Sequence, residues 1–251
     1  RVDDSYIQCI IGKDFHRYRY MNEPEMYLRY GKWLAEPRET APFFEPEKIV
    51  LRQTSDSLIG HIDNRKRVNL NNVYNVGYVD TRYDLRYILG LLNSKLLNHI
   101  YQSIAQEKGR TFAEVKKVNL EKLPIATADR KSQARIAEDV ISIVASNEQL
   151  QSVQAGLVSL LRSKYNLPTL SRNLENWPGL ECKGFLAELK KAKGPLTLAE
   201  EAEWLSYFTA EKAKAQALQA QIAKTDAAID ALVYQLYGLT EEEVKVVEGM
   251  H

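Results

Sequence analysis

The stretch DLRYILGLLNSKLLNHIYQ, residues 84–102, decides the fold of the first half of the chain. Its apolar residues recur three and four positions apart, at Leu85, Ile88, Leu89, Leu92, Leu96, Leu97 and Ile100. This spacing predicts one helix from Asp84 to Gln102 that is buried along one side. A helix of this kind needs an apolar surface on which to pack, and the preceding residues supply it.

Short β-branched and aromatic runs of strand length precede this helix. They are Tyr6–Ile11, Lys48–Gln53, Leu58–Ile62 and Val73–Val79, and Asp63-Asn64 has the composition of a turn. We therefore predict a mixed α/β domain over residues 1–126.

The pattern becomes helical after Thr127. Two series of residues follow a heptad spacing: Ile136, Val140, Ile143, Asn147, Leu150, Gln154, Leu157 and Leu161, and then Ala215, Leu218, Ile222, Thr225, Ile229, Leu232, Leu236 and Leu239. Two such helices predict an antiparallel, coiled-coil-like hairpin over residues 127–251, with a small inserted subregion at 166–196. Thr197 and Thr240 each precede a glutamate by three positions, the pattern of a capping box. The predicted fold class is α+β.

Charge is distributed unevenly along the chain. Residues 1–126 carry 20 Lys and Arg against 16 Asp and Glu, a net charge of +4, whereas residues 127–251 carry 14 against 17, a net charge of −3. A charge of +4 is only mildly basic and by itself does not establish nucleic-acid binding.

Cysteine content and hydropathy indicate where in the cell the protein is expected. Cys9 and Cys182 are far apart and suit reduced thiols better than a disulfide framework or a zinc site, so we expect a cytoplasmic protein. No run of about 18 apolar residues exists, so we expect no membrane partner. The first residues contain neither an initiator methionine nor a signal pattern, and we interpret the chain as part of a longer protein.

Catalytic motifs are absent from the sequence. There is no phosphate-binding glycine loop, no nucleophile elbow, and no Asn-Pro-Pro-aromatic motif of the kind that holds the target amino group in adenine methyltransferases. The four histidines show no metal-ligand spacing with each other or with the cysteines. We therefore predict neither a catalytic residue nor a metal or cofactor site in this chain.

Three segments, in order, resemble the TaqI-like C-terminal specificity domain of type IIG restriction-modification enzymes and adenine-specific DNA methyltransferases, and a fourth resembles the closing helix of the same enzymes. They are IIGKDFHRYRY at 10–20, EKIVLRQT at 47–54 with VNLNNVY at 68–74, LRYILGLLNSKLLN at 85–98, and IDALVYQLYGLTEEE at 229–243. The resemblance implies a target-recognition module that binds double-stranded DNA. It also implies an N-terminal N6-adenine methyltransferase domain in the same polypeptide that uses S-adenosylmethionine, and in some relatives an endonuclease that requires Mg²⁺.

The candidate DNA contacts are basic or amide side chains in or beside these segments. Cations position a protein on phosphates, and bidentate groups read base edges. The candidates are Lys13, His16, Arg17, Arg19, Arg52, Gln53, Arg65, Lys66, Arg67, Lys108, Arg110, Lys116 and Lys117. Arg52 and Gln53 belong to a segment typical of the family, which favours a scaffold or phosphate role over base choice. The others are equally compatible with solvated surface charges.

Two alternatives stay open at this point. The heptads predict a spacer for the DNA-binding module or a surface for a partner, including a homodimer through the helical region. The competing hypothesis is a coiled-coil interaction or scaffold module without DNA specificity. Sequence-specific DNA recognition is the interpretation that the ordered segments favour.

Overall fold

The computed structural model of the chain describes residues 3, 5–21, 23–38, 41–77, 80–105 and 113–249, without the side chains of residues 41 and 42. The strands are β1 (Tyr6–Ile10), β2 (Phe15–His16), β3 (Arg19–Tyr20), β4 (Tyr27–Arg29), β5 (Lys48–Arg52), β6 (Gly60–Asp63), β7 (Val68–Asn69) and β8 (Val73–Val76). The helices are α1 (Ala41–Phe44), α2 (Leu85–Asn93), α3 (Lys95–Ala105), α4 (Lys117–Leu120), α5 (Arg130–Tyr165), α6 (Arg172–Glu175), α7 (Cys182–Lys193), α8 (Leu198–Tyr237) and α9 (Glu241–Glu248). No helix among these residues is long and apolar enough to cross a membrane.

The chain forms two compact units. The first comprises residues 1–142 and 226–251, and the second comprises residues 143–225. This division differs from the sequence-based boundary near residue 126, because the N-terminal part of α5 and the C-terminal part of α8 pack with the α/β elements. The division into a DNA-recognition domain (1–126) and a helical spacer (127–251) stays a prediction.

The strands of the first unit form three small sheets. In the first sheet β1 lies between β4, which is antiparallel to it, and β7, which is parallel to it. In the second, β5 is central and pairs antiparallel with β6 and β8. The third is the two-stranded hairpin of β2 and β3. Ile10, Phe15, Val50 and Val73 form one buried apolar cluster, so residues from the hairpin and from both larger sheets share a core.

The single helix predicted over residues 84–102 is wrong in one respect, because the chain breaks it into α2 and α3 at Ser94. Ser94 has an extended backbone (φ −66°, ψ 154°), and its hydroxyl accepts a hydrogen bond from the amide of Leu97 at 3.2 Å. It therefore caps the N-terminus of α3, a role for which serine is strongly preferred. Apolar periodicity continues across the break, so it could not reveal the interruption.

The break places two asparagines on the edge of β6. Asn93 donates from Nδ2 to the carbonyl of Gly60 at 3.0 Å and accepts from the amide of Gly60 at 2.9 Å. Asn98 accepts from the amide of Leu58 at 2.7 Å and donates to the carbonyls of Leu92 and Ser94. Two side-chain amides thus satisfy backbone groups that lie just before and at the start of a buried strand.

Close packing fixes α2 against the ends of the long helices in the first unit. A Cβ atom on Gly90 would lie 2.5 Å from Cγ2 of Ile136 and 3.3 Å from Cγ2 of Val140, with Ile229 at 3.8 Å. Any larger side chain at position 90 would collide with α5, so glycine permits this helix contact.

The second unit has its own apolar core. Leu157 and Leu161 of α5 pack with Phe208 of α8 and with Trp177 and Phe185 from the segment between the long helices. The rings of Phe185 and Phe208 are stacked with centroids 4.3 Å apart. The predicted inserted subregion at 166–196 contains the short helices α6 and α7.

The heptad prediction is confirmed for the first helix and partly wrong for the second. Seven of the eight positions of the first series are buried, and Gln154 is half-buried. In α8, Ile229 is buried, but the next buried residues are Asp230, Val233 and Tyr234 rather than Leu232 and Leu236. Leu239 lies beyond the end of α8. Both predicted capping boxes form, at Thr197 and at Thr240. The predicted α+β class with a long helical pair is confirmed.

We expect Asn93→Ala to lower the free energy of unfolding by about 2 kcal/mol, because it removes the side-chain acceptor of the buried Gly60 amide and one of the two donors to the Gly60 carbonyl. Urea denaturation monitored by circular dichroism measures the change. Asn64→Ala, at an exposed position, is the control and should shift the free energy by less than about 0.5 kcal/mol. Equal stability of the two variants would show that the pair on Gly60 contributes nothing.

Candidate nucleic-acid interface

The β2–β3 hairpin presents the basic segment near the N-terminus. Its turn contains Tyr18, which has a left-handed backbone (φ 60°) and a side chain that is only 2% exposed. The amide of Tyr18 donates to the carbonyl of Gly60 at 3.1 Å. The aromatic side chain of the turn is therefore an internal anchor, and the hairpin is attached directly to β6.

Five of the candidate residues lie together at this hairpin, and we call them the hairpin cluster: Lys13, His16, Arg17, Arg19 and Arg52. His16 and Arg19 are paired across β2 and β3. Lys13 lies in the 3-10 turn Gly12–Asp14, which packs against Arg52, since a Cβ on Gly12 would lie 3.2 Å from Cγ of Arg52.

The pKa of His16 reflects the positive charge of the residues around it. Partial burial lowers the pKa of His16 from its ordinary value, and the positive charges of Arg19, Arg52 and Arg17 lower it further. Three guanidinium groups therefore act on one imidazole. Such a concentration of positive charge attracts phosphates.

Two cations of the cluster are held by the protein itself. Arg17 forms an ion pair with Asp226 of α8 at 2.7 Å, and both side chains are about one quarter exposed (27% and 28%). Burial lowers the pKa of Arg17, but Tyr18, Asp226 and Asp230 outweigh it, so that the pKa rises above its ordinary value. Arg52 donates to the carbonyl of Phe15, and burial lowers its pKa. Arg17 and Arg52 therefore stabilise the hairpin through these contacts within the protein.

The other three members of the cluster are not held in this way. The side chains of Lys13 and His16 are exposed and that of Arg19 is half-buried. None of the three forms an ion pair with a residue that the structure describes. They are the members of the cluster that the geometry leaves available for an external anion.

The predicted basic run at 65–67 lies between β6 and β7. Arg65 forms an ion pair with Glu23 at 2.5 Å and is about half exposed. Lys66 is exposed and has a left-handed backbone (φ 54°). Arg67 is 1% exposed, and it donates to Gln8 at 2.6 Å and to Glu23 at 2.5 Å. Because its guanidinium is buried and bonded internally, we leave Arg67 out of the contact surface proposed below.

The remaining candidates are apart from the hairpin in sequence. The backbone of Gln53 pairs with the carbonyl of Asn72 and the amide of Val115, so this residue joins β5 to the segment before α4. Lys116 and Lys117 are exposed at the start of α4, and Lys117 lies 3.6 Å from Glu121. Lys108 and Arg110 lie outside the described residues.

Other chemically reactive groups and the cavity lie outside the hairpin cluster. No group of three or more His, Cys, Asp or Glu among them could hold a metal ion. Burial raises the pKa of the Cys9 thiol to about 11, so little thiolate forms near neutral pH. One cavity of about 320 Å³ is lined by residues of α5 and α8 and by no member of the hairpin cluster.

Comparison with known families matches residues 7–125 to the TaqI-like C-terminal specificity domain. We call residues 7–125 the specificity domain, after the family that they match. The resemblance inferred from the three sequence segments within this range is thereby confirmed, and it supports a DNA-recognition role in restriction-modification. Residues 129–233 match a second family, described as a domain of unknown function (DUF8810). A comparison with curated proteins gave no match.

Sequence reasoning missed one residue that supports the specificity domain from outside its limits. Asp226 lies 101 residues beyond the end of the matched segment, yet it holds Arg17 of the hairpin. The closing helix contains several carboxylates, and nothing in their spacing distinguishes this one. Only the packing of α8 beside the hairpin identifies it.

We expect Arg67→Ala to destabilise the specificity domain by about 2 kcal/mol, because it removes a buried side chain that packs on Tyr20 and leaves the side-chain carbonyl of Gln8 without this donor. Arg65→Ala is the matched control, since its ion pair is exposed and contributes about 0–1 kcal/mol. Thermal and urea unfolding of both variants measure the difference. If Arg67→Ala changed the stability as little as Arg65→Ala does, Arg67 would again be a candidate for the contact surface.

We expect stability to fall as the pH falls below about 6.5, in part through His61. This residue is 3% exposed, and burial, together with Arg67 and Arg65, lowers its pKa from 6.5 to about 3. Between these two values the unfolded chain binds a proton that the folded protein does not, so acid favours unfolding.

The expected contribution of His61 is a loss of about 2 kcal/mol between pH 7 and pH 5. Urea denaturation across this range measures it, and His61→Phe should remove that part of the slope, whereas His99→Gln should retain it. Identical slopes in the wild type and His61→Phe would contradict the assignment.

Proposed function

We propose that residues 7–125 recognise a specific double-stranded DNA sequence within a restriction-modification enzyme. The observation that carries this proposal is the match of this segment to the TaqI-like C-terminal specificity domain. The hairpin cluster adds a physical reason, because its basic side chains lie close together and such a concentration of positive charge attracts a phosphate backbone. We propose that Lys13, His16 and Arg19 contact the DNA, and that Arg17 and Arg52 hold the hairpin in position.

Four further candidates outside the hairpin cluster are proposed to contact phosphates. Lys66, Lys116 and Lys117 are exposed and suit phosphate contacts, as does Arg65 on its exposed side. Such contacts orient the protein on the duplex without selecting a sequence. The part played by Lys108, Arg110 and the side chain of Gln53 in DNA binding stays a prediction from the sequence.

Selection from random duplexes can identify the DNA site. The full chain is immobilised, duplexes are selected from a randomised library, and the selected duplex is compared with a scrambled one by fluorescence anisotropy at about 150 mM salt. We expect at least a hundredfold preference for the selected duplex, within the range of specific DNA-binding proteins. If no duplex were enriched, or if the selected and scrambled duplexes bound with equally weak affinity, the chain would not recognise a specific sequence.

Arg19→Gln should weaken binding to the selected and the scrambled duplex by a similar factor, about five- to tenfold. It should also reduce the slope of log affinity against log salt by about 1, because one phosphate contact is lost. Lys183→Gln, an exposed lysine of α7, is the control and should change neither quantity. An unchanged slope in Arg19→Gln would exclude this residue from the phosphate contacts.

We further propose that DNA recognition positions an N6-adenine methyltransferase domain of the same polypeptide. Such a domain flips its target base out of the duplex and takes the methyl group from S-adenosylmethionine. In a type IIG parent, an endonuclease would require Mg²⁺. Methylation of the selected site by the full-length protein tests this step, and a parent sequence that lacks the Asn-Pro-Pro-aromatic motif would contradict it.

The helical part is proposed as a spacer or a partner surface. Homodimerisation is constrained by the packing, because Leu150, Leu157 and Leu161 are already covered inside the second unit. A second copy would therefore have to bind outside these seam positions. Sedimentation over a range of concentrations distinguishes a spacer from a dimerising module. Dimerisation without salt-dependent DNA binding would favour the scaffold alternative.

A further inference from the structure

Trp33 differs from the other two tryptophans of the chain. Trp177 is fully buried and Trp204 is 3% exposed, whereas Trp33, between β4 and α1, is 66% exposed. Tryptophan carries the largest aromatic surface of any side chain, and leaving it in water forgoes a substantial free energy of burial. An exposed tryptophan that is also fixed in place therefore calls for an explanation.

Contacts within residues 30–38, which we call the Trp33 loop, and with the adjoining Arg29 hold this side chain in a defined position. The indole Nε1 donates to the carbonyl of Arg29 at 3.1 Å, and the guanidinium carbon of Arg29 lies 5.1 Å from the ring centroid. The ring also lies directly over Gly31, where a Cβ would be 2.3 Å from Cη2 of the indole. Glycine at position 31 is required for this arrangement.

The ends of the Trp33 loop are joined as well. The hydroxyl of Tyr30 donates to the carbonyl of Arg38 at 2.5 Å and accepts from its amide. Tyr30 in turn packs on Phe43 and Phe44, with ring centroids 5.4 and 5.2 Å away. The loop is thus closed at its base and anchored to the specificity domain, which keeps the entropy lost on binding small.

The charges beside the indole favour a polyanion over an apolar partner. Arg29 and Lys32 are exposed on either side of Gly31, and Arg38 is half-buried at the base of the loop. Glu36 is the acidic residue of the Trp33 loop, so Arg29 together with the loop has a net charge of +2. An exposed aromatic ring flanked by cations suits a nucleic acid, whose bases stack on the ring while its phosphates bind the cations.

We infer that Trp33 is a DNA-contact residue of the specificity domain, with its ring against bases and with Arg29 and Lys32 on the adjoining phosphates. This inference rests on the proposed function and adds a second contact element to the hairpin cluster. The sequence candidates were Lys, Arg, His and Gln residues, and they included no Phe, Tyr or Trp.

Tryptophan fluorescence provides a direct readout, because Trp33 is the exposed member of the three. The probe is the duplex selected on the full chain, and acrylamide quenching is measured with and without it. We expect DNA to protect the quenchable fraction of the emission, and Trp33→Phe to remove both that fraction and its protection. Trp177 and Trp204 are buried and serve as the internal reference.

Binding affinity supplies the second readout. Trp33→Ala should weaken binding to the selected duplex about tenfold. Gly31→Ala, which displaces the ring but retains it, should weaken binding by a similar factor. Leu198→Ala is the matched control, since Leu198 is an 86% exposed apolar residue of the second unit. All three variants should unfold at the wild-type temperature, because each altered side chain is exposed or absent.

The outcomes separate the inference from the proposed function. Protection of Trp33 together with weaker binding by Trp33→Ala and Gly31→Ala supports the inference. Tight binding of the selected duplex with Trp33 still open to acrylamide, and with unchanged affinity in both variants, overturns it and leaves the proposed function intact. Failure of the chain to select any duplex overturns both.

Discussion

The side chain of Asn93 makes the contact on which the first unit depends. Its amide bonds both the N–H and the carbonyl of Gly60. The same carbonyl accepts the amide of Tyr18 from the hairpin turn. One residue of β6 thereby joins the α2–α3 break, the central sheet and the basic hairpin. A backbone group buried without a partner costs about as much as a lost hydrogen bond, so all three elements must meet at this point.

Burial sorts the basic residues into two classes that sequence does not distinguish. Lys48 is 1% exposed and donates to the carbonyls of Phe43 and Arg67 at 2.6 Å. Arg67 is equally buried, with its charge facing Glu23. A buried cation requires internal partners. These two residues therefore hold the loop between β6 and β7 in place, while Lys13 and Arg19 remain outside. The net charge of +4 counts both classes alike.

The closing helices belong structurally with the specificity domain. Asp230 of α8 accepts the amide of Lys95 at the first turn of α3, and Lys95 also forms an ion pair with Glu248 of α9 at 2.6 Å. A carboxylate at a helix N-terminus satisfies an unpaired amide and faces the positive end of the dipole. Together with the ion pair of Arg17 and Asp226, these contacts attach residues 226–248 to α3 and to the hairpin.

The sequence by itself determined the element types that depend on local periodicity and chemistry: the longer strands, the heptad helices, both capping boxes and the family. It also grouped most of the hairpin cluster, since four of its five members lie between residues 13 and 19. Tertiary structure decided the rest. The break at Ser94, the roles of Asn93 and Asp226, the burial of Arg67 and the exposure of Trp33 all depend on partners distant in sequence or on local loop geometry. Hydropathy and charge describe a residue alone, whereas its role follows from the groups that the fold places around it.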